Sequence, residues 1–172
     1  YSFVPGQGIQ VGGLINNVST QAKLLGINEL DAETSNNFTI GLGGKLTNTL
    51  SFTVDYYNIA VQDRIVLGSE IGATGDATNP LDILLSNNNL SDVSYFSNAL
   101  DTRTSGLDVV ISKKDISLGE GTLDLNLSGN YTISNEREGD VKDIALVANA
   151  GQSVVNATQE ALFFTSRPET KW

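Results

Sequence analysis

The chain has 172 residues and a formal net charge of −10, and it contains neither cysteine nor histidine. The missing cysteines exclude disulfides and cysteine-bound zinc, and the missing histidines exclude every Ser-His nucleophile. The acidic balance argues against nucleic-acid binding, which needs clustered Lys and Arg. There is no run of about 18 apolar residues, so no transmembrane helix is predicted. Asn, Ser, Thr and 17 Gly are prominent, a mixture that favours turns and half-polar strands.

The first thirty residues are rich in Gly and Asn and show no clean hydrophobic period. We predict loop here, with a single helical turn in the segment QAKLLGI that Gly26 closes.

Two neighbouring segments then alternate between apolar and polar residues. In the first, one face carries Phe38, Ile40, Leu42 and Leu46. This period of two predicts a strand with unlike faces. The second, residues 50–67, begins with Phe52, Val54 and Tyr56 on one face, and its alternation then changes phase. A bulge near Tyr56–Tyr57, or a change of environment along a long strand, would explain the change of phase.

A long insertion follows at residues 68–98. It starts with Gly-rich turns, and Asn79 and Pro80 then predict the start of a short helix. We expect another short turn at residues 92–96.

Two further strands are predicted after this insertion. The first has Leu107, Val109 and Ile111 on one face. The second has the clearest alternation in the chain, and its apolar face carries Leu123, Leu125, Leu127, Tyr131 and Ile133. A second insertion at residues 136–162 follows, and the last residues, LFFTSRPETKW, read as the entrance to another strand.

The connections between the predicted strands are alternately short (47–49 and 117–121) and long (68–98 and 136–162). Transmembrane β-barrels of the bacterial outer membrane have short periplasmic turns and long extracellular loops, and their strands carry an apolar outer and a polar inner face. Three aspartates, Asp55, Asp108 and Asp124, fall on the polar faces. The predicted class is therefore all-β, a partial transmembrane barrel of antiparallel amphipathic strands whose long extracellular loops carry short helical turns.

Period two alone leaves alternatives open. A soluble antiparallel sheet also alternates, with its apolar face in a core and its polar face in water. A secreted all-β binding or adhesion domain and a passive porin segment therefore stand beside the barrel of a receptor.

Four motifs in order resemble the barrels of TonB-dependent outer-membrane receptors. Glu33, Thr34 and Ser35 match the motif that opens one strand of that family. Its hairpin partner is matched by Val54, Asp55, Tyr57, Ile59, Asp63, Arg64 and Ile65. A later strand opening is matched by Asn98, Gly106, Leu107 and Asp108, and an Arg-x-Glu pair by Arg167 and Glu169.

The resemblance implies energy-coupled uptake of a scarce ligand such as a siderophore, cobalamin or glycan, and no enzymatic activity. It implies a location in the bacterial outer membrane, with membrane lipid, the TonB system and a small-molecule or glycan ligand as partners. A complete receptor of this kind has a plug domain and about 22 strands. We therefore expect residues 1–172 to be one segment of a barrel domain, a fragment without the plug.

No catalytic, cofactor-binding or metal-binding residue is proposed, and the ligand-binding residues are unknown. The two long insertions are the best candidates for ligand contact. The acidic residues Glu136, Glu138, Asp140 and Asp143 are read as a solvated loop in preference to a calcium site. The glycine-rich stretches near Gly6 and Gly41 precede no helix and are read as turn or strand. Four aromatic residues are candidates for an interfacial girdle or for ordinary strand packing: Tyr56, Tyr57, Tyr95 and Phe96.

Overall fold

A computed structural model of the protein describes residues 2–4 and 8–172. Within them, the strands are β1 Ser2–Val4, β2 Gly8–Gln10, β3 Gly12–Ile15, β4 Thr34–Thr47, β5 Leu50–Leu67, β6 Ile71–Gly72, β7 Asp92–Leu118, β8 Gly121–Glu138 and β9 Thr170–Lys171. The helices are α1 Thr20–Leu25, α2 Pro80–Asn87, α3 Ala145–Asn149 and α4 Ala157–Phe164. None of these helices has the length and apolar character needed to cross a membrane. The predicted all-β class is confirmed.

The main sheet runs in the order β4-β5-β7-β8-β9, and β3 and β6 each pair with β7 as well. β1 and β2 form a separate antiparallel pair. Because β4 and β9 end the path without pairing to each other, the sheet is open over the described residues.

The chain divides into two compact units. Unit 1 contains the described residues up to Thr34 together with Gln62–Asp101 and Gly139–Phe163. Unit 2 contains Ser35–Val61, Thr102–Glu138 and Phe164–Trp172. The short turns at 48–49 and 119–120 belong to unit 2, and helices α1, α2 and α3 belong to unit 1.

The β4–β5 hairpin agrees with the alternation in the sequence. A Cβ on Gly43 would lie 3.0 Å from the Thr53 side chain, and one on Gly41 would overlap the carboxylate of Asp55. Residue numbers rise along β4 from Gly41 to Gly43 while those of the facing residues of β5 fall from Asp55 to Thr53, so the two strands are antiparallel. Gly41 leaves the space that the Asp55 carboxylate occupies.

β5 has an irregular point at Asp63, which the sequence pattern did not single out, and the bulge near Tyr56–Tyr57 stays a prediction. Asp63 has a φ of 54°, in the left-handed region, while the strand continues on both sides of it. Aspartate tolerates this conformation better than most residues. Hydrogen bonds from distant parts of unit 1 hold Asp63 there, so alternation within the segment did not reveal its position.

One other prediction is wrong, and two are confirmed only in part. Residues 92–96 are not a turn but the start of β7, because this segment pairs in parallel with β3 and antiparallel with β6. The first thirty residues contain three short strands, although the predicted helical turn is confirmed as α1, with Gly26 at φ 72° closing it. The apolar start of LFFTSRPETKW ends α4, and only Thr170–Lys171 forms a strand, against Asn130 and Tyr131.

Unit 1 has a hydrophobic core. All the apolar side chains that are buried among the described residues belong to it: Ala22, Leu25, Ile27, Val66, Ile71, Leu81, Leu85, Val93, Tyr95, Ala99, Leu100, Val147, Val154 and Val155. They come from helices α1, α2 and α3, the end of β5, β6, the start of β7, and the segments that follow α1 and α3. The predicted helix at Pro80 is α2, which Asn79 caps by accepting a hydrogen bond from the Leu81 N–H. The two long insertions thus fold together around one core.

Unit 2, all of whose residues are described, buries no apolar side chain in this way. Its apolar rows are largely exposed: Leu42 is 70% exposed, Ile40 62% and Leu125 56%. The buried residues that the unit does contain include Thr102 and Ser105, which are polar. Unit 2 is therefore a two-faced sheet whose apolar face has no core to enter.

Glycines in unit 2 lie against aromatic rings of neighbouring strands. A Cβ on Gly106 would lie 2.6 Å from both the Tyr131 carbonyl oxygen and Cζ of Tyr57. A Cβ on Gly129 would lie 2.9 Å from Cδ2 of Trp172. Since real Cβ atoms are almost never this close to other heavy atoms, these glycines let the strands keep their spacing.

We expect Gly106→Ala to lower the free energy of unfolding by about 2 kcal/mol, because the methyl group overpacks the contact with Tyr57 and with a backbone carbonyl. Gly121→Ala is the matched control, since its Cβ would meet only the Leu118 carbonyl oxygen, at 3.8 Å. Urea unfolding of the chain folded in lipid would measure both. Equal midpoints for the two variants would contradict the packing described here.

Candidate functional site

A polar cluster joins three separate segments of unit 1; we call it the Asp63 cluster, comprising Asp31, Asp63, Asn98, Asp101 and Lys142. The Asn98 amide donates to the carbonyls of Asp31 (2.9 Å) and Asp63 (2.6 Å). The Asn98 oxygen accepts from the Asp31 N–H at 2.9 Å. One side chain therefore ties the segment before β4 and the irregular point of β5 to β7.

Lys142 completes the cluster from the second long insertion. Its ammonium lies 2.7 Å from carboxylate oxygens of both Asp63 and Asp101, and its N–H donates to the Ala99 carbonyl. Asp101 also accepts from the Asp63 N–H at 2.8 Å. The Lys142 hydrogen bond is the main cause that lowers the pKa of Asp101, and Asp101 in turn raises the pKa of Lys142. The charges therefore hold the start of the insertion against β5 and β7.

Four residues of the resemblance motifs meet in unit 1. Asp63 and Asn98 are bonded in the cluster, and the Glu33 carboxylate accepts from the Ile65 N–H at 2.6 Å. Residues from motifs far apart in the sequence thus form hydrogen bonds to the β5 backbone at and beside Asp63, where the backbone is left-handed. Sequence reasoning found these positions but missed Lys142 and Asp101, because one ammonium between two distant carboxylates leaves no local signal.

The two long insertions are bonded to each other. The Ser69 N–H and hydroxyl donate to the carbonyls of Val154 and Ser153, at 2.8 and 2.6 Å. Gly72 exchanges two hydrogen bonds with the Gln152 side chain. These insertions, which we predicted as the best places for ligand contact, form an ordered surface.

A polar cavity of about 440 Å³ lies beside the Asp63 cluster in unit 1. Residues 26–31, 95–98 and 142–145 line it together with Asp63. Tyr95 is part of this lining and is 1% exposed, and its hydroxyl has no hydrogen-bond partner among the described residues. Burial raises the pKa of the Tyr95 hydroxyl, and the negative charge of Asp143 raises it further. The hydroxyl therefore stays neutral at any ordinary pH.

Residues on the polar face of unit 2 pair with one another. The Asn130 amide donates to the Asp108 carboxylate (2.8 Å) and to the Tyr57 hydroxyl (3.1 Å). The Asp124 carboxylate accepts from the Asp115 N–H at 2.9 Å. Asp108 and Asp124, which were predicted on this face, therefore accept hydrogen bonds. Asp55, the third predicted aspartate, has its carboxylate in the space over Gly41.

The acidic residues of the second insertion do not converge. Glu138 pairs with Arg103 at 2.6 Å, and Asp143 accepts from the Val154 N–H at 2.7 Å. In the described part of the chain, no group of three or more carboxylates is placed to hold a metal ion. Glu138 and Asp143 thus serve separate local contacts.

The aromatic residues considered for a girdle have different surroundings. Tyr95 is 1% exposed in the core of unit 1, so it is not a girdle residue. Phe96 is 40% exposed in the same unit. Tyr57 packs on Gly106, as an ordinary strand residue does.

Comparison with known proteins gives one match. The family described as TonB dependent receptor-like, beta-barrel matches residues 2–166. No curated protein and no solved structure matches the chain. The matched range includes all four helices and every strand of the main sheet except β9.

We expect Lys142→Met to loosen residues 139–145, because the neutral side chain leaves Asp63 and Asp101 without their shared cation. Lys142 and Asp101 are 42% and 27% exposed, so solvent screening limits the loss to about 1 kcal/mol. Hydrogen exchange at pH 7 would show faster exchange in this segment. Lys23→Met, which removes an exposed lysine 3.7 Å from Glu29, is the control and should leave it unchanged.

The same cluster predicts a pH dependence. A lowered pKa for Asp101 stabilises the fold above the ordinary carboxyl value of about 4, and this contribution is lost as pH falls through the lowered value. The protection of residues 139–145 against exchange, relative to the intrinsic rate at each pH, should therefore fall in strong acid in the unaltered chain. If Lys142→Met shows the same acid step, Lys142 does not stabilise the Asp101 carboxylate.

Tyr95→Phe should leave the free energy of unfolding of unit 1 unchanged or raise it by up to about 1 kcal/mol. The substitution removes a buried hydroxyl that has no hydrogen-bond partner among the described residues. Thermal unfolding measures the difference. A loss of more than about 1 kcal/mol would mean that the hydroxyl is hydrogen-bonded in the folded chain.

Proposed function

Because the chain belongs to the TonB-dependent receptor β-barrel family, we propose that it is part of the barrel of a receptor for energy-coupled uptake of a scarce ligand. Proteins of this family are outer-membrane receptors and transporters, not enzymes. The role proposed for this chain is accordingly to form wall and ligand-facing surface, without bond-making chemistry. A siderophore, cobalamin or a glycan remains the proposed kind of cargo.

The observation that carries the proposal is the exposed apolar face of unit 2. A soluble sheet would bury this face in a core, but Leu42, Leu125 and Ile133 are each more than half exposed. Lipid hydrocarbon is the environment in which such a face is stable. β4 has 14 residues and β8 has 18, more than the roughly 9–11 that cross a bilayer.

The opposite face suits a water-filled lumen. It carries Asp55, Asp108 and Asp124, and carboxylates are stable there without a dry core around them. The bonds of Asn130 to Asp108 and Tyr57 give this face a fixed arrangement. We therefore propose that residues 1–172 are one segment of a barrel domain with its polar face towards the lumen.

The long connections are the proposed ligand-contacting parts, on the extracellular side of the outer membrane. Their support is the shared core and the mutual bonds at Ser69 and Gly72, which present an ordered surface in place of mobile loops. Energy for transport would come from the TonB system, the partner that the family as a whole uses.

Leu125→Arg should impair insertion into lipid by about 2–4 kcal/mol, because an arginine on the lipid face loses its hydration. Ser128→Arg, on the polar face of the same strand, is the matched control and should insert normally. The measurement is the fraction of the protein carrying this chain that is recovered folded in the outer membrane.

Two results would count against the proposal. If Leu125→Arg inserts as well as Ser128→Arg, the apolar face does not meet lipid. Recovery of the unaltered protein in the soluble periplasm would favour the secreted-domain alternative.

A further inference from the structure

The apolar row of β8 has the length that a lipid bilayer requires. Five side chains form it, each about half exposed: Leu123, Leu125, Leu127, Tyr131 and Ile133. Ile133 is ten residues beyond Leu123, a distance of about 34 Å along an extended strand. In a barrel strand tilted by about 40°, this row spans about 25 Å, which is the height of the apolar band of outer-membrane barrels. The row can therefore cross the hydrocarbon layer once, and the layer should end close to Ile133.

On β5 the same face changes from apolar to polar. Phe52, Val54 and Tyr56 form its apolar row, and Asn58 is the next residue of that row. The Asn58 amide donates to the Tyr56 hydroxyl at 3.5 Å, so the two side chains lie on the same face. The apolar row of β5 therefore ends at an aromatic residue whose hydroxyl meets a polar neighbour.

An ion pair continues this polar layer across β7 and β8. The Arg103 guanidinium donates to the Asn58 side-chain oxygen at 3.1 Å and to the Glu138 carboxylate at 2.6 Å. Arg103 is four residues before Leu107, so alternation also places it on the apolar face of β7. We call Tyr56, Asn58, Arg103 and Glu138 the Arg103 group. All four residues belong to unit 2.

The Arg103 group needs polar surroundings. The side chains of Arg103 and Glu138 remain 40% and 39% exposed in spite of their ion pair. An arginine on the lipid face of a barrel is destabilising at the midplane of the bilayer, and the effect becomes small near the interface. Tyrosine is favoured where an apolar ring borders a wet layer. The charges and the tyrosine therefore indicate the same level, at the edge of the hydrocarbon.

We propose that the Arg103 group contacts the polar head groups of the lipid. The hydrocarbon layer then ends between Tyr56 and Asn58 on β5 and just beyond Ile133 on β8. The proposal rests on the receptor function, because it fixes the depth of this barrel segment in its membrane. The ion pair keeps the sheet from sinking deeper, since hydrocarbon would remove the hydration of Arg103 and Glu138.

Two positions in one row of β5 test the boundary. The chain has no cysteine, so Val54→Cys and Asn58→Cys each introduce its single thiol, and both leave the Arg103–Glu138 pair intact. The protein that carries this chain is labelled with bimane and reconstituted in phosphatidylcholine that is brominated either deep in the acyl chains or close to the head group. The protein without the introduced cysteine is the blank.

We expect the deep bromines to quench the label at residue 54 several-fold more than the label at residue 58. The shallow bromines should quench the label at residue 58 more than the deep ones do. A charged, water-soluble maleimide should react several-fold faster with Asn58→Cys than with Val54→Cys, because a thiolate forms in a wet layer and not in hydrocarbon.

Three results would count against these claims, and they are distinguishable. Equal quenching of both labels by the deep bromines would overturn the proposal, since hydrocarbon would then extend past the Arg103 group. A label at residue 58 that neither lipid quenches would show that lipid does not reach this level, and would also overturn it. If the label at residue 54 is not quenched either, the apolar face does not meet lipid and the receptor function itself is contradicted.

A variant without the charges tests whether the ion pair sets the depth. In the Asn58→Cys protein, Arg103→Met combined with Glu138→Met should raise quenching by the deep bromines towards the value at residue 54. Lys45→Met, which removes a charge from the polar face of β4, is the control and should leave quenching unchanged. Unchanged quenching in the double variant would show that the pair does not limit the hydrocarbon. If the double variant fails to fold, the comparison of residues 54 and 58 still decides the proposal.

Discussion

The apolar face of unit 2 is the constraint on which the rest of the molecule depends. Strands whose side chains alternate must cover one face, and the residues of unit 2 provide nothing that buries it. At Gly41, Gly106 and Gly129 a Cβ atom would overlap neighbouring atoms, so the absence of a side chain at these glycines keeps the spacing of the backbone. The sheet is therefore well defined within itself, while its apolar face is left for lipid. This combination separates it from a soluble sandwich.

In unit 1 the structural requirement is different, because two long insertions have to be ordered. Long connections are expensive to order, because their backbone must be fixed and their polar groups satisfied. Here the two insertions share a core, and Asn98 and Lys142 bind backbone and carboxylates from segments that are distant in sequence. Asp63 adopts a left-handed backbone conformation as part of this arrangement. The ordering of the insertions makes a preformed ligand surface physically reasonable.

Prediction from the sequence succeeded where the signal was local. The bounds of β5 are those of the predicted segment 50–67. Helix α1 ends at Gly26 and helix α2 begins after Asn79, the two capping residues that the sequence suggested. It failed at residues 92–96, which are strand because β3 and β6 pair with them. It failed also for Tyr95, which lies in the core of unit 1. For the candidate site, the motifs drew attention to Asp63 and Asn98, but nothing local pointed to Lys142 or to Asp101.

The sequence by itself determined the long strands β4, β5 and β8 and which face of β4 and β8 is apolar, because side-chain direction alternates with a period of two along any extended backbone. It also determined the family, through motifs in a fixed order that the family match over residues 2–166 confirms. Only the tertiary structure decided that the apolar rows of unit 2 stay exposed while those of unit 1 enter a core. Burial depends on which distant segments come to lie against a face. The same reason applies to the Asp63 cluster and to the adjoining polar cavity, which exist only where residues far apart in the chain meet.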